Sequence, residues 1–144
     1  MDKYGILIEV LVRLFRDIMD IEEKAIITPE FKDITNNDMH VIEAIGMGTP
    51  KNMSSIAKEL SVTVGTLTIA MNSLVKKGYV SRVRSAQDKR VVLLSLTDKG
   101  LSAYEKHAAF HQKMVSTVME GLDGQEMEVL AHALEKLRGY FKVL

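Results

Sequence analysis

The stretch MSSIAKELSVTVGTLTIAMNSLVKKGYVSRVRSAQDKRVVLLSL, residues 53–96, decides the fold. It opens with MSSIAKEL, a short helix that sets Ile56, Ala57 and Leu60 on one face, with Asn52 or Ser54 placed to cap it. The turn Ser61-Val62-Thr63 leads into VGTLTIAMNSLVKK. Thr63 is placed to cap that second helix, and Gly78 sits where a left-handed residue closes one. Two β-rich runs, YVSRVR and VVLLSL, flank the polar hexapeptide SAQDKR and predict a hairpin. Thr97-Asp98-Lys99-Gly100 then caps a further helix. Two short helices joined by a tight turn and followed by a hairpin make a winged helix-turn-helix.

The second helix has two unlike faces. Val64, Leu67, Met71, Leu74 and Val75 recur at helical spacing and are expected to point into the core. Gly65, Thr68, Ile69, Asn72 and Lys76 form the opposite stripe. That stripe suits either an ordinary solvated face or the floor of a major groove. In a groove, Thr68 and Asn72 bond base edges or phosphates, Ile69 meets a thymine methyl, and Gly65 allows close backbone approach. The hairpin tips the balance toward DNA. Arg82, Arg84, Lys89 and Arg90 crowd its base and tip, and a narrow minor groove attracts inserted arginine. Asp88 is out of place in such a tip unless it orients Arg90 or Arg84 through a bidentate pair. The candidate DNA contacts are therefore Ser54, Thr63, Gly65, Thr66, Thr68, Ile69, Asn72 and Lys76 on the helices, and Arg82, Arg84, Asp88, Lys89 and Arg90 on the wing.

Charge follows the same division. The 144 residues are neutral overall, but residues 51–100 hold nine Lys/Arg against three Asp/Glu, a local +6. Residues 1–50 stand at −5 and residues 101–144 at −1. Basic charge is thus gathered in the reading head, as on a nucleic-acid surface. The length suits one domain with a real core. The absence of cysteine excludes disulfides and thiolate metal ligation and suits a reducing cytoplasm. Glu9, Arg13 and Arg16 interrupt the apolar runs, so neither signal peptide nor membrane span is expected. With no phosphate loop and no nucleophile arrangement, an enzyme is a poor reading.

The flanks read as scaffold. Residues 3–27 predict one long helix with a stripe of Leu7, Leu11, Leu14, Ile18 and Ile21, widened by Val10 and Phe15. Glu9 and Arg13 form a favourable i,i+4 pair. Glu22 falls on the apolar side and needs a partner there or water. After a connector from Pro29 to Asp33, Thr35 begins a helix ending near Gly46, with Asp38 in a capping-box position and Ile34 set to staple Met39. Met39, Ile42 and Ile45 face inward. Beyond Thr97 the chain is helical, with a break at residues 121–124. Met127, Leu130, Leu134, Leu137, Phe141 and Leu144 then alternate at spacings of three and four. That is a seam for another helix, and a homodimer built from the first helix and the last two is the expectation.

SSIAKEL, SLVKKGYVSR, Asp88-Lys89-Arg90 and LTDKG together resemble the MarR family of bacterial regulators. The resemblance implies a mainly α fold with a small β-hairpin wing, acting as a homodimer on pseudo-palindromic double-stranded operator DNA. Residues 1–144 then form a single domain, with 3–47 and 98–144 as dimerisation helices and 53–96 as the DNA-binding head. Within the family, FKDITNNDMHVIEAIG, the run from Glu59 to Thr97 and FHQKMV resemble the FabT-type repressors of fatty-acid synthesis genes. That likeness implies no required cofactor. It also implies a corepressor, a long-chain acyl group carried on acyl carrier protein.

Two constellations bear on the effector. Met19, Met39, Met114, Met119 and Met127 give the scaffold a soft interior that suits an apolar guest as well as plain core. The candidate pocket lining is Leu14, Ile18, Met39, Ile42, Met114 and Val118. The alternative is zinc. His107 and His111 are four apart on one helical face, and His40 and Glu22 complete a cysteine-free tetrahedral set. Zinc-responsive members of the family use residues of these types on comparable helices. FabT-like proteins carry histidines at positions 40, 107 and 111 as well, so the histidines alone do not choose.

Overall fold

A computed structural model describes residues 2–143 of the chain. Residues 3–26 run as one continuous helix in three pieces: α1 (Lys3–Ile8), a π-helical segment (Glu9–Leu14) and α2 (Phe15–Ile26). Asp2 caps it by accepting from Gly5 N at 2.7 Å. The expected helix over 3–27 is corrected twice. It ends at Ile26, because Ile27 is already extended, and its middle is wound as π-helix rather than α-helix. A stripe of apolar residues reports a helical face but not the winding of six residues within it. Arg13 bonds Glu9 at 2.6 Å, an exposed pair across that segment.

The expected cap of α3 (Asn36–Ile45) is present. Asp38 N donates to Thr35 Oγ1 at 3.0 Å and Thr35 N to Asp38 Oδ2 at 3.1 Å, a reciprocal capping box. Lys51 Nζ donates to Ala44 O at 2.8 Å, supplying a cation where the end of α3 leaves carbonyls unpaired. Residues Lys51–Asn52 form β1, a strand absent from the expected two-stranded hairpin. Two residues after a proline carry too little pattern to announce a strand. Asn52 then caps α4 (Met53–Glu59), its Oδ1 accepting from Ser55 N at 2.8 Å, so Asn52 and not Ser54 is the cap.

Recognition helix α5 (Val64–Lys77) starts at its Thr63 cap and ends at Gly78, whose φ of 89° is the left-handed value expected there. Strands β2 (Val80–Arg84) and β3 (Val92–Leu96) pair antiparallel with Arg82 opposite Leu94, and β1 joins the far edge of β3. The helices pack on this sheet through Met39, Ile42, Ile45, Ile56, Leu67, Met71, Leu74 and Leu94, each 2% exposed or less. Ile34 is buried in the same core. Val64 departs from expectation: at the first residue of α5 it lies beyond the core's edge and is 46% exposed.

The end of α5 is clasped to the start of α6 (Asp98–Glu120). Thr97 Oγ1 donates to Gly78 O at 2.6 Å, Thr97 N donates to Tyr79 O at 3.1 Å, and Gly100 N donates to Thr97 Oγ1 at 3.1 Å. A Cβ at Gly100 would stand 2.1 Å from Tyr79 O, so only glycine fits. The buried Tyr79 donates its hydroxyl to Asp33 Oδ1 at 2.6 Å, and Lys99 Nζ lies 4.3 Å from its ring centroid. Lys77 pairs with Asp38 at 2.8 Å, fixing α5 to the capped start of α3.

The chain forms two compact units that divide α6 after His107. The second holds the rest of α6 and α7 (Gly124–Phe141), which starts at a capping box between Asp123 and Glu126. Along the expected seam Met127, Leu130 and Leu137 are half-buried while Leu134 and Phe141 are exposed. Leu144 lies outside the described residues.

Gly100→Ala is expected to destabilise the fold by at least the ~1–3 kcal/mol typical of overpacking, read as a lowered urea midpoint, because the contact is with backbone. An unchanged midpoint would contradict the clasp. The Tyr79 hydrogen bond holds the Asp33 carboxyl below its ordinary value of 3.8. Burial, then that same bond, raises the Tyr79 phenol above 10.0. The pair therefore stabilises the fold between those pH values. Its contribution fades as pH falls through the lowered carboxylate value and as it rises through the raised phenol value. Denaturant titrations of wild type and Tyr79→Phe are expected to differ most between pH 5 and 9 and to converge in acid. A constant difference across that acid range would contradict the linkage.

Candidate nucleic-acid interface

The outward stripe of α5 is where the sequence placed it, and its hydroxyls and amide are oriented by bonds inside the head. Thr63 Oγ1 accepts from Thr66 N at 3.1 Å and donates to Thr66 Oγ1 at 3.0 Å. Thr68 Oγ1 donates to Val64 O at 2.8 Å, which leaves its oxygen able to accept. Ile69 is 74% exposed. An aliphatic side chain that bare, between Thr68 and Asn72, gains nothing from the fold and suits contact with a thymine methyl. Arg82 on β2 donates Nη1 to Asn72 Oδ1, a link between the recognition helix and the hairpin that sequence pattern does not show. Lys76 is exposed near the end of the helix. A Cβ at Gly65 would meet only Thr63 Oγ1, at 3.9 Å, so nothing inside the head demands glycine there.

The wing resolves the question left open for Asp88. Arg90 donates Nε to Asp88 Oδ1 at 3.1 Å and Nη2 to Asp88 Oδ2 at 3.2 Å, while its backbone N–H reaches Oδ1 at 3.0 Å. These bonds hold the Asp88 carboxyl below its ordinary value, the side-chain bond first. Arg84 is held separately, its Nη1 donating to Lys89 O at 2.8 Å. Arg90 is therefore the arginine that Asp88 orients, and its side chain remains 91% exposed for a partner outside the fold. Arg82, Arg84 and Lys89 are exposed too, so the wing offers cation after cation with its one carboxylate already engaged. Ser54, Val64, Thr68, Arg82 and Arg90 line an open hollow of about 400 Å³ between the helices and the wing.

The scaffold candidates sort differently. Glu22 has the partner its position called for: buried His107 brings Nε2 to 3.1 Å from Glu22 Oε1 and also pairs with Glu43 Oε1. Glu22, Glu43 and His107 set their ligand atoms within 4.8 Å of one another. His111 follows one turn later on α6. His40 is not in this group. It lies exposed on α3 three residues before Glu43, nearly a turn away along the axis, and Glu43 takes the place expected of it. The residues of the expected pocket lining differ in exposure. Met39 and Ile42 are 2% and 0% exposed, packed in the hydrophobic core of the head. Leu14 and Val118 are exposed, and Ile18 and Met114 are half-buried.

Residues 24–107 match the family described as transcriptional regulator SarA/Rot. The regulator ZitR of Lactococcus lactis is 30% identical over 112 residues, which cover 76% of this chain and 77% of that protein. The chain belongs to the MarR/SarA family of transcriptional regulators. The multiple antibiotic resistance protein MarR of Escherichia coli is 32% identical over 106 residues, covering 73% of this chain and 74% of MarR. The crystal structure of Streptococcus pneumoniae FabT in complex with DNA superposes with a TM-score of 0.90 at 38% identity, covering 97% of this chain and 98% of FabT. Members of the MarR/SarA family are DNA-binding regulators and not enzymes. No described helix is long and apolar enough to cross a membrane.

Two sets of variants test the interface. Arg90→Ala removes the wing cation and Asp88→Ala loosens it, and both are expected to weaken operator binding with thermal stability unchanged. Unaltered affinity at fixed salt would show that the wing is not engaged. Lys76→Ala is expected to weaken all sequences alike and reduce the salt slope by about one unit, the signature of a single phosphate contact. A change in sequence preference would place Lys76 on bases instead.

Proposed function

We propose that the chain is a homodimeric repressor of fatty-acid biosynthesis genes, tightened on its operator by a long-chain acyl group carried on acyl carrier protein. Its likeness to DNA-bound FabT over nearly the whole chain carries the reading. Exposure supports the dimer. Ile6, Leu7, Leu14 and Phe15 on the first helix are 47–54% exposed, as are Val118, Met119, Leu134 and Phe141 on α6 and α7. Large apolar side chains left this exposed on both units suit burial against a second copy. A symmetric pair places two recognition helices about 34 Å apart, one turn of DNA. Met39 and Ile42 are shielded from solvent, so a guest enters past apolar side chains that are open to it, such as Leu14 at 47% exposure. Coupling needs only that the acyl-bound scaffold prefer the spacing that fits DNA, and it is reciprocal.

One observation favours a second reading, control by zinc: the convergence of Glu22, Glu43 and His107, an oxygen and nitrogen donor set of the kind zinc accepts. One titration separates the two. The chain is titrated with operator DNA in chelator, and acyl carrier protein with chains of increasing length, or zinc, is then added. Acyl control predicts tighter operator binding as the chain lengthens, since each buried CH₂ adds about 0.8 kcal/mol to guest binding. The gain is capped by how well the two scaffold states are discriminated. Zinc control predicts no acyl response and a zinc response that His107→Ala abolishes. Failure of both ligands would overturn both effector assignments and leave the operator-binding dimer standing.

A further inference from the structure

Asn72 and Arg82 occur in the recognition head as a bonded pair, and the bond restricts which base edge the head can read. Arg82 reaches from β2 to place Nη1 on Asn72 Oδ1. A guanidinium carries donors only, so it draws the carboxamide oxygen toward the hairpin and leaves the amino group as the free end of Asn72. Both residues are exposed, so neither is held there by packing.

An asparagine reads adenine by accepting from N6 while donating to N7. Held in this way, Asn72 has its oxygen engaged at the hairpin through one of its two lone pairs, so the Nδ2 hydrogens are the groups presented to a base, where they would face the N6 donor of adenine. Guanine presents two acceptors, O6 and N7. With the two residues bonded to one another, the Asn72 amino group and the remaining N–H groups of Arg82 supply donors to match them. Resting on the operator-binding reading above, we infer that Arg82 is a specificity-determining residue that both positions Asn72 and donates beside it. By holding the amide oxygen to the hairpin it makes Asn72 read with its amino group, so that the pair selects guanine over adenine at one position of each half-site.

The test is selection of binding sites from a randomised duplex pool by the full-length chain and by Asn72→Ala, Arg82→Met and Arg82→Lys. The position whose preference vanishes in Asn72→Ala is the one Asn72 reads. There the wild type is expected to favour guanine over adenine by about tenfold, within the discrimination of one good bidentate contact. Arg82→Met frees the amide to turn and is expected to move that position alone toward adenine. Arg82→Lys, which keeps a donor for the amide oxygen, holds the guanine preference. A wild-type preference for adenine there would overturn the inference and leave the operator reading intact. So would an Arg82→Met variant that weakens every sequence equally with preferences unchanged, because Arg82 would then be only a phosphate contact. A wild type that enriches no sequence would overturn the operator reading and the inference with it.

Discussion

The close approach of Gly100 to the carbonyl of Tyr79 is the constraint on which the reading head depends. It fixes where the chain leaves the wing relative to where it leaves the recognition helix. Around it, Thr97 bonds Gly78 and Tyr79, and Tyr79 fills the space beneath with its hydroxyl satisfied by Asp33. A recognition helix and a wing can read two grooves at once only if their separation is set. Here it is set by the backbone contact of Gly100 with Tyr79, reinforced by the Thr97 hydroxyl between Gly78 and Gly100. The Leu-Thr-x-x-Gly exit, Leu96 to Gly100, is thereby explained physically: threonine bridges two carbonyl-bearing turns, and glycine is the one residue with no Cβ to place against Tyr79.

Function is layered on that frame by polar bonds that cost little and decide much. The exposed Asp88–Arg90 and Arg82–Asn72 contacts contribute little to stability, since solvent screens them. Their value lies in pre-orientation, because a side chain already held in its binding geometry loses less freedom on meeting DNA. The same economy explains why an electrically neutral chain can bind a polyanion. The positive charge is collected on α5 and the wing, and the one carboxylate on the wing is used to aim an arginine.

Much of this was legible in the sequence because it is local. Capping residues Thr35 and Thr63, the stop at Gly78, the hairpin and the Asp88–arginine pairing rest on residues close in the chain, where spacing determines geometry. What escaped is tertiary. Neither the link from Arg82 to Asn72 nor the arrival of Glu43 in place of His40 at His107 has a signal in either segment alone. Hydrophobic pattern also cannot say which apolar residues meet their own chain: Met39 and Ile42 do, while Leu14 and Phe15 remain exposed. The π-helical winding at Glu9–Leu14 and the two-residue β1 are too short for periodicity to register.

The central claim is that α5 enters the major groove while the wing enters the adjoining minor groove, on both halves of a symmetric site. Chemical footprinting of the complex tests it most directly, with methylation probing the major-groove face of guanine and hydroxyl radical probing minor-groove sugars. Two symmetric patches centred about one helical turn apart are expected, each with major-groove protection flanked by minor-groove protection. The flanking protection should disappear in Arg90→Ala. A single asymmetric patch, or minor-groove protection that persists without Arg90, would contradict it.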